Sequence, residues 1–188
     1  MAHLCHRGPE GTVPKSVNLR GTEEFIWITA SSICRPFVWR GWSRACPMRF
    51  EGENAAIAEL ARSITPGQRA EMHRLMDMEP RRVINASWNS DTDFQEESGE
   101  LTHLIGVATT STEAAEGLDL VEVPALTWAV FSSDGPYPQD MQQTTARVYG
   151  EWLAEAPYEL DGFRMFSFCD VREDNTAYSE IWMPVRRK

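Results

Sequence analysis

Near the end of the chain, Tyr178-Ser-Glu-Ile-Trp-Met-Pro-Val185 reads as a strand in which Glu180 interrupts a largely apolar run. A strand's period of two sends Ile181 and Met183 to one face and Glu180 and Trp182 to the other. A carboxylate beside an indole is an unusual pair to build. An ionised carboxylate buried without a partner costs several kcal/mol, roughly, even after relaxation. Either this strand is an exposed edge with Glu180 in water, or a cationic group is meant to sit beside it.

Elsewhere the pattern predicts further elements. Residues 25–33 are rich in aromatic and β-branched side chains and read as a first strand. Residues 53–64 place Ile57, Leu60, Ala61 and Ile64 at helical spacing, and after an interruption at Pro66-Gly67 a second helical piece runs over 68–78. Strands follow over 82–88 and 101–108, then one long strand over 120–131, bent near Pro124. Over 139–154, Met141, Thr145, Val148, Tyr149 and Trp152 give the strongest helical periodicity of the chain, which Pro157 ends. Strands over 163–169 and 177–185 close the sequence. Residues 35–50 read as an irregular segment covering something apolar, and 1–22, with five glycines and prolines, as a loose leader. Residues 111–119 read as a linker with no packing face. Gly106, inside a strand, marks a place where something approaches the backbone closely.

Taken coarsely, residues 24–108 run strand, helix, strand, strand, and 120–185 do the same. The halves share negligible identity, so the repeat is one of element order. It predicts an α+β fold of two pseudo-repeated β-α-β-β lobes, over 23–110 and 119–188. Antiparallel sheets would surround a central ligand cleft, with the helices on the outer face. The last strands of the two lobes become equivalents, which roughly matches Gly106 with Trp182; a glycine opposite an indole leaves room for a flat guest.

Composition narrows the function. The chain has 188 residues and a formal net charge of −10, which disfavours a nucleic-acid partner and favours cationic ligands. Seven tryptophans and eight phenylalanines supply material for a core and for a ligand pocket. No secretory signal is visible and no run reaches the ~18 apolar residues of a membrane helix. The four cysteines share no CxxC spacing, and the expected setting is the reducing cytoplasm. His3, Cys5 and His6 find no later cluster to complete a tetrahedral metal site, so neither metal nor cofactor is expected.

The second half resembles the GyrI-like effector-binding domain, the ligand-sensing module of many AraC-type and MerR-type bacterial regulators. Val123-Pro-Ala-Leu-Thr-Trp-Ala-Val-Phe131, Gly135-Pro-Tyr-Pro138, Tyr149-Gly-Glu-Trp-Leu153, Tyr158-Glu-Leu160 and Ser179-Glu-Ile-Trp-Met-Pro-Val185 carry the likeness, over roughly residues 83–188. Residues 24–80 fit by element order only. No helix-turn-helix can be placed in the leader, so the chain, with its domain over 23–188, resembles a stand-alone member. The resemblance implies an aromatic cleft in which a buried glutamate neutralises lipophilic cations. Glu180 is the matching motif position, with Trp182 on its face. Trp128, Tyr137, Trp88, Phe166 and Gly106 are the further expected ligand contacts.

Three functions follow as expectations. The first is binding of hydrophobic, cationic small molecules, in service of a regulator protein or as a homodimer. The second is hydrolysis of reactive small molecules with Glu180 as general acid or base. No nucleophile–histidine pairing is visible in the sequence to support it, and His103, on a predicted strand, reads as structural. The third is a protein-interaction role like that of the gyrase inhibitor after which the family is called.

Overall fold

The computed structural model describes the backbone of residues 2–3, 5–7, 30–49, 54–91 and 98–188, and side chains within 35–49, 54–91 and 98–188. Three strands open the chain, β1 (Ala2–His3), β2 (Cys5–Arg7) and β3 (Ala30–Cys34), followed by the long β4 (Phe37–Pro47). Two helices follow. Asn54 caps α1 (Ala55–Ser63) by accepting from the amides of Ala56 and Ile57. Thr65 and Gln68 form a reciprocal capping box at the start of α2 (Pro66–Leu75). Pro66 sits in the first turn, where its missing N–H costs nothing, so this proline begins the second helix and does not merely interrupt a helical stretch. Strands β5 (Met78–Glu79), β6 (Ile84–Trp88), β7 (Glu100–Thr109) and β8 (Asp119–Val123) complete the first half. The second half holds β9 (Thr127–Pro136), α3 (Gln139–Arg147), a π-helical turn over Val148–Trp152 and α4 (Leu153–Glu155). It ends with β10 (Tyr158–Leu160), β11 (Arg164–Val171) and β12 (Thr176–Arg187).

The two expected β-α-β-β lobes are present and share one sheet. Its order is β2-β3-β9-β12-β11-β6-β7-β4-β8, with β10 beside β12. Lobe one contributes β4, β7 and β6, lobe two β11, β12 and β9, in mirrored order. The lobes join where β6 and β11 pair antiparallel, Trp88 opposite Arg164 and Ala86 opposite Phe166. Strand β12 therefore lies between β9 and β11 and is not an edge. Strands β1 and β5 pair separately.

Alternation along each strand separates two faces. One is covered by helices: α1 and α2 bury Leu60, Ile64, Met72 and Leu75 against Ile105 and Val107, and α3 with the π turn packs on Phe131, Ile181 and Met183. The other face carries an aromatic cluster, including Trp39, Trp128, Phe166 and Trp182.

Several expectations need correction. The first strand of lobe one is β4, the segment expected to be irregular. Phe37, Val38, Trp39, Arg40 and Gly41 are buried in succession because both faces of β4 are covered, so no alternation shows. The segment expected as that first strand appears as β3, which pairs with β9 at the far side of lobe two; its residues 25–29 lie outside the described residues. Of the expected loose leader, residues 2–3 and 5–7 are in strands, and 8–22 lie outside the description. The single long strand over 120–131 is two: β8 pairs with β4 in lobe one, β9 with β12 in lobe two, and the chain crosses between them at Pro124. The 111–119 linker packs after all, because Leu118 and Ala115 join the cluster beneath α1 and α2.

The close approach foreseen at Gly106 is made by β4. Gly106 stands opposite Gly41, and a Cβ on either would overlap main-chain atoms of the other strand. The missing side chain is thus explained by strand packing. Gly106→Ala is expected to cost about 1–3 kcal/mol, the scale of overpacking a tight site, read as a lower urea midpoint at unchanged slope. An unchanged midpoint would show that β4 can move aside.

Candidate functional site

The site is built on the helix-free face, where β12 presents Tyr178, Glu180 and Trp182 in alternate positions. Tyr178 donates its hydroxyl to Glu180 Oε1 at 2.7 Å, and the Trp182 indole N–H donates to Glu180 Oε2 at 3.0 Å. Two ring donors, at i−2 and i+2, thereby hold both carboxylate oxygens. The carboxylate is half-buried, opposite Phe168 on β11 and Ser132 on β9. Each oxygen keeps a further lone pair, so the group remains able to meet a cation or donor.

Aromatic rings extend from this carboxylate. Trp182 stacks on Phe166 with centroids 5.1 Å apart and planes at 19°. Trp128 meets the edge of Phe166 at 5.1 Å, and Trp39 reaches the same ring at 6.1 Å and Trp88 at 6.0 Å. Phe166 thus meets three indoles directly, and Trp88 joins them through Trp39. Trp39 comes from β4, two strands beyond β6. On the intervening strands this face carries the small Ala86, Gly106 and Ala108 beside the larger Ile84 and Leu104.

Of the expected site residues, the structure brings together Glu180, Trp182, Trp128, Phe166 and Trp88 on one face. Gly106 shares that face but is closed off by β4. Tyr137 does not join them. It follows the end of β9, is 38 % exposed, and interacts with the Cys169 thiol. Cys169 stands opposite Ser179 on the helix-covered face. Three residues were missed. Tyr178 shares the parity of Glu180 and Trp182, so alternation alone could have placed it. Phe168 does the same for Phe166. Trp39 lay in the segment without visible periodicity and gave no such signal.

Charge clusters near the Tyr178 end. Asp134 and Asp170 flank Tyr178 across the sheet, and each is bound by an arginine: Arg172 at 2.6 Å and Arg82 at 2.8 Å. The Arg172 guanidinium holds the Asp134 carboxyl below its usual range.

On the opposite face, Ser87 Oγ lies 2.9 Å from His103 Nδ1, and Asn85 Oδ1 3.3 Å from Nε2. With Asn85 as acceptor, Nε2 carries the proton and Nδ1 accepts from the Ser87 hydroxyl. No such nucleophile–histidine pairing is visible in the sequence, because it forms only where β6 and β7 bring Ser87 opposite His103. It is remote from Glu180, since side chains at odd positions of β6 and β7 point away from the aromatic face. Burial lowers the His103 pKa to about 4, which keeps the ring neutral at physiological pH. Among the described residues, no group of three or more His, Cys, Asp or Glu side chains could hold a metal, and no helix is long and apolar enough to cross a membrane.

Comparison with known proteins settles the family. The model of the GyrI-like small molecule binding domain matches residues 41–186. The chain belongs to this family. Its fold is also that of solved structures. SAV2435 bound to tetraphenylphosphonium is 15% identical, with a TM-score of 0.60 over 84% of this chain and 93% of the other. A putative transcription regulation protein from Staphylococcus aureus MU50 is 15% identical, with a TM-score of 0.58 over 84% and 97%. The EcmrR C-terminal domain is 13% identical, with a TM-score of 0.59 over 87% and 100%. At such identities the likeness speaks for the fold alone. No curated protein matches the sequence. The GyrI-like match reaches from β4 into β12, so it covers both lobes and includes Glu180.

Proposed function

We propose that this GyrI-like domain binds hydrophobic, cationic small molecules on its aromatic, helix-free face, with Glu180 as the charge partner. The observation that carries this reading is the half-buried carboxylate held by Tyr178 and Trp182 at the margin of the aromatic cluster. The donors fix its direction in advance, so little ordering is left for the binding step. Trp182 adds a π surface for a cation, worth ~0.5–2 kcal/mol. The bound tetraphenylphosphonium of SAV2435 is an apolar cation of this kind and makes a suitable first probe.

Titration calorimetry with tetraphenylphosphonium and with a neutral tetraaryl analogue tests the charge role. Glu180→Gln keeps the shape and the acceptor oxygen but removes the charge. It should weaken the cation roughly 10–100-fold, the cost of removing one member of a desolvated charge pair, while the neutral analogue changes by less than about threefold. Equal losses for the two probes would overturn the reading of Glu180 as a charge partner. No binding by either probe in the wild type would overturn the aromatic face as their site.

A further inference from the structure

The end of the aromatic face away from Glu180 carries donors and a cation without partners. Among the described residues, the indole N–H groups of Trp39 and Trp128, both wholly buried, make no hydrogen bond, and neither does Arg164 Nε; Arg40 Nε and Thr144 Oγ1 are also without one, away from this face. Each such buried donor costs about 1–3 kcal/mol, and native interiors hold few of them. Of the three on this face, two meet one ring, and the third stands beside it on the strand. Trp39 and Trp128 both touch Phe166, and Arg164 is two residues from Phe166, on the same face of β11 and opposite Trp88.

Like Arg40, Arg62, Arg69 and Arg187, Arg164 lies outside the ion pairs of the described residues, and unlike them it stands on the aromatic face. Arg82, Arg172 and Arg186 each hold a carboxylate at 2.8 Å or less. Arg164 forms no ion pair among the described residues, in a chain of net charge −10. Carboxylates were available in the composition, and none was placed here. Arginine with two indole N–H donors makes a set that only an acceptor satisfies.

Position sets the spacing. Glu180 is opposite Phe168, four residues along β11 from Arg164. At ~3.3 Å per residue that is about 13 Å of strand, with the stacked Phe166 and Trp182 between. We infer that the ligand class is amphoteric: an aromatic body carrying a cationic group at one end, for Glu180, and a carboxylate or comparable acceptor about 10–13 Å away, for Arg164, Trp39 and Trp128. This inference rests on the aromatic face being the binding site and adds an acceptor subsite that a simple lipophilic cation leaves unused.

The test uses three probes on the full chain: an aryl quaternary ammonium, the same compound with a carboxylate on a spacer of about 10 Å, and an aryl carboxylate with no cation. Affinities are measured for the wild type, Arg164→Gln and Glu180→Gln. The carboxylated ammonium should bind at least about tenfold more tightly than its parent, the scale of one charge-assisted pair. Arg164→Gln should abolish that advantage, leave the parent's affinity within about threefold, and weaken the aryl carboxylate. Glu180→Gln should weaken both ammonium probes and spare the aryl carboxylate. Arg164→Gln should unfold at or above the wild-type temperature, since it removes a buried donor that has no partner, and this separates lost binding from lost fold. A carboxylate that adds nothing, or an Arg164 variant that weakens all three probes alike, overturns the acceptor subsite. The aryl carboxylate isolates the Arg164 end. If it binds through Arg164 while neither ammonium responds to Glu180, the cationic reading fails and the acceptor subsite stands.

Discussion

Truncating Phe166 to Ala is expected to lower the unfolding free energy by about 3–5 kcal/mol, the range for removing a fully buried aromatic ring. The ring is 0 % exposed and lies between Trp182, Trp128 and Trp39. Its strand is one of the two that join the lobes, and Phe166 itself stands opposite Ala86 across that junction. Ala86 is too small to fill the space, and the indoles are held by their own strands, so the site cannot collapse around the cavity. A domain has only about 5–15 kcal/mol of stability in all, so the loss is a large fraction of it. Phe166→Leu, which keeps most of the volume, should cost less than about 1.5 kcal/mol. Urea unfolding of the three proteins checks this. A loss below about 1 kcal/mol for the alanine variant would mean that Trp182 and Trp128 close over the gap.

What alternation could and could not show is clear from the strands themselves. Strand β12 is buried on both sides, yet the charged Glu180 falls at one parity with Ile181 and Met183 at the other, so its two faces were legible. The helix over 139–154 was legible because α3 and the turns after it bury only one stripe, including Met141, Val148 and Trp152. Strand β4 was not, because Phe37 and Trp39 enter one cluster while Trp42 packs in another. A segment apolar on both faces has no period to read. The β8–β9 division was hidden for a different reason. Both strands are apolar and only Pro124 separates their runs, so whether the chain bends or crosses to another part of the sheet depends on partners far away in sequence.

The site divides along the same line. Glu180 and Trp182 follow from local parity, and the aromatic residues named beside them follow from the family pattern. Trp39 and Arg164 required the sheet order. Trp39 reaches Phe166 only because β4 and β7 approach at the Gly41–Gly106 pair. The sequence signalled one end of that contact as a glycine inside a strand and gave nothing to identify the other. Tyr137 shows the converse failure, since a conspicuous aromatic beside the motif turned to the helix-covered side as the chain left β9.

Acid should destabilise the protein through His103 in a way its carboxylates do not account for. The buried ring has a pKa of about 4 against an ordinary 6.5, because burial disfavours the imidazolium. The unfolded chain therefore takes up a proton at a pH where the folded one does not. The corresponding stability is fully present above about pH 6.5, declines as the pH falls, and is lost once the pH passes below about 4. Across the whole window the linkage amounts to about 3 kcal/mol, and between pH 7 and 4.5 to about 2 kcal/mol. Carboxylates held by arginines, such as Asp134, also lose stability towards acid, so wild type alone is not diagnostic. His103→Gln keeps a polar side chain facing Ser87 and Asn85 but cannot titrate. Its absolute stability will differ, but its loss between pH 7 and 4.5 should be smaller than the wild type's by about 2 kcal/mol. Parallel pH profiles for the two proteins would show that the imidazolium is tolerated in place, with the Ser87 hydroxyl turning to accept from Nδ1–H.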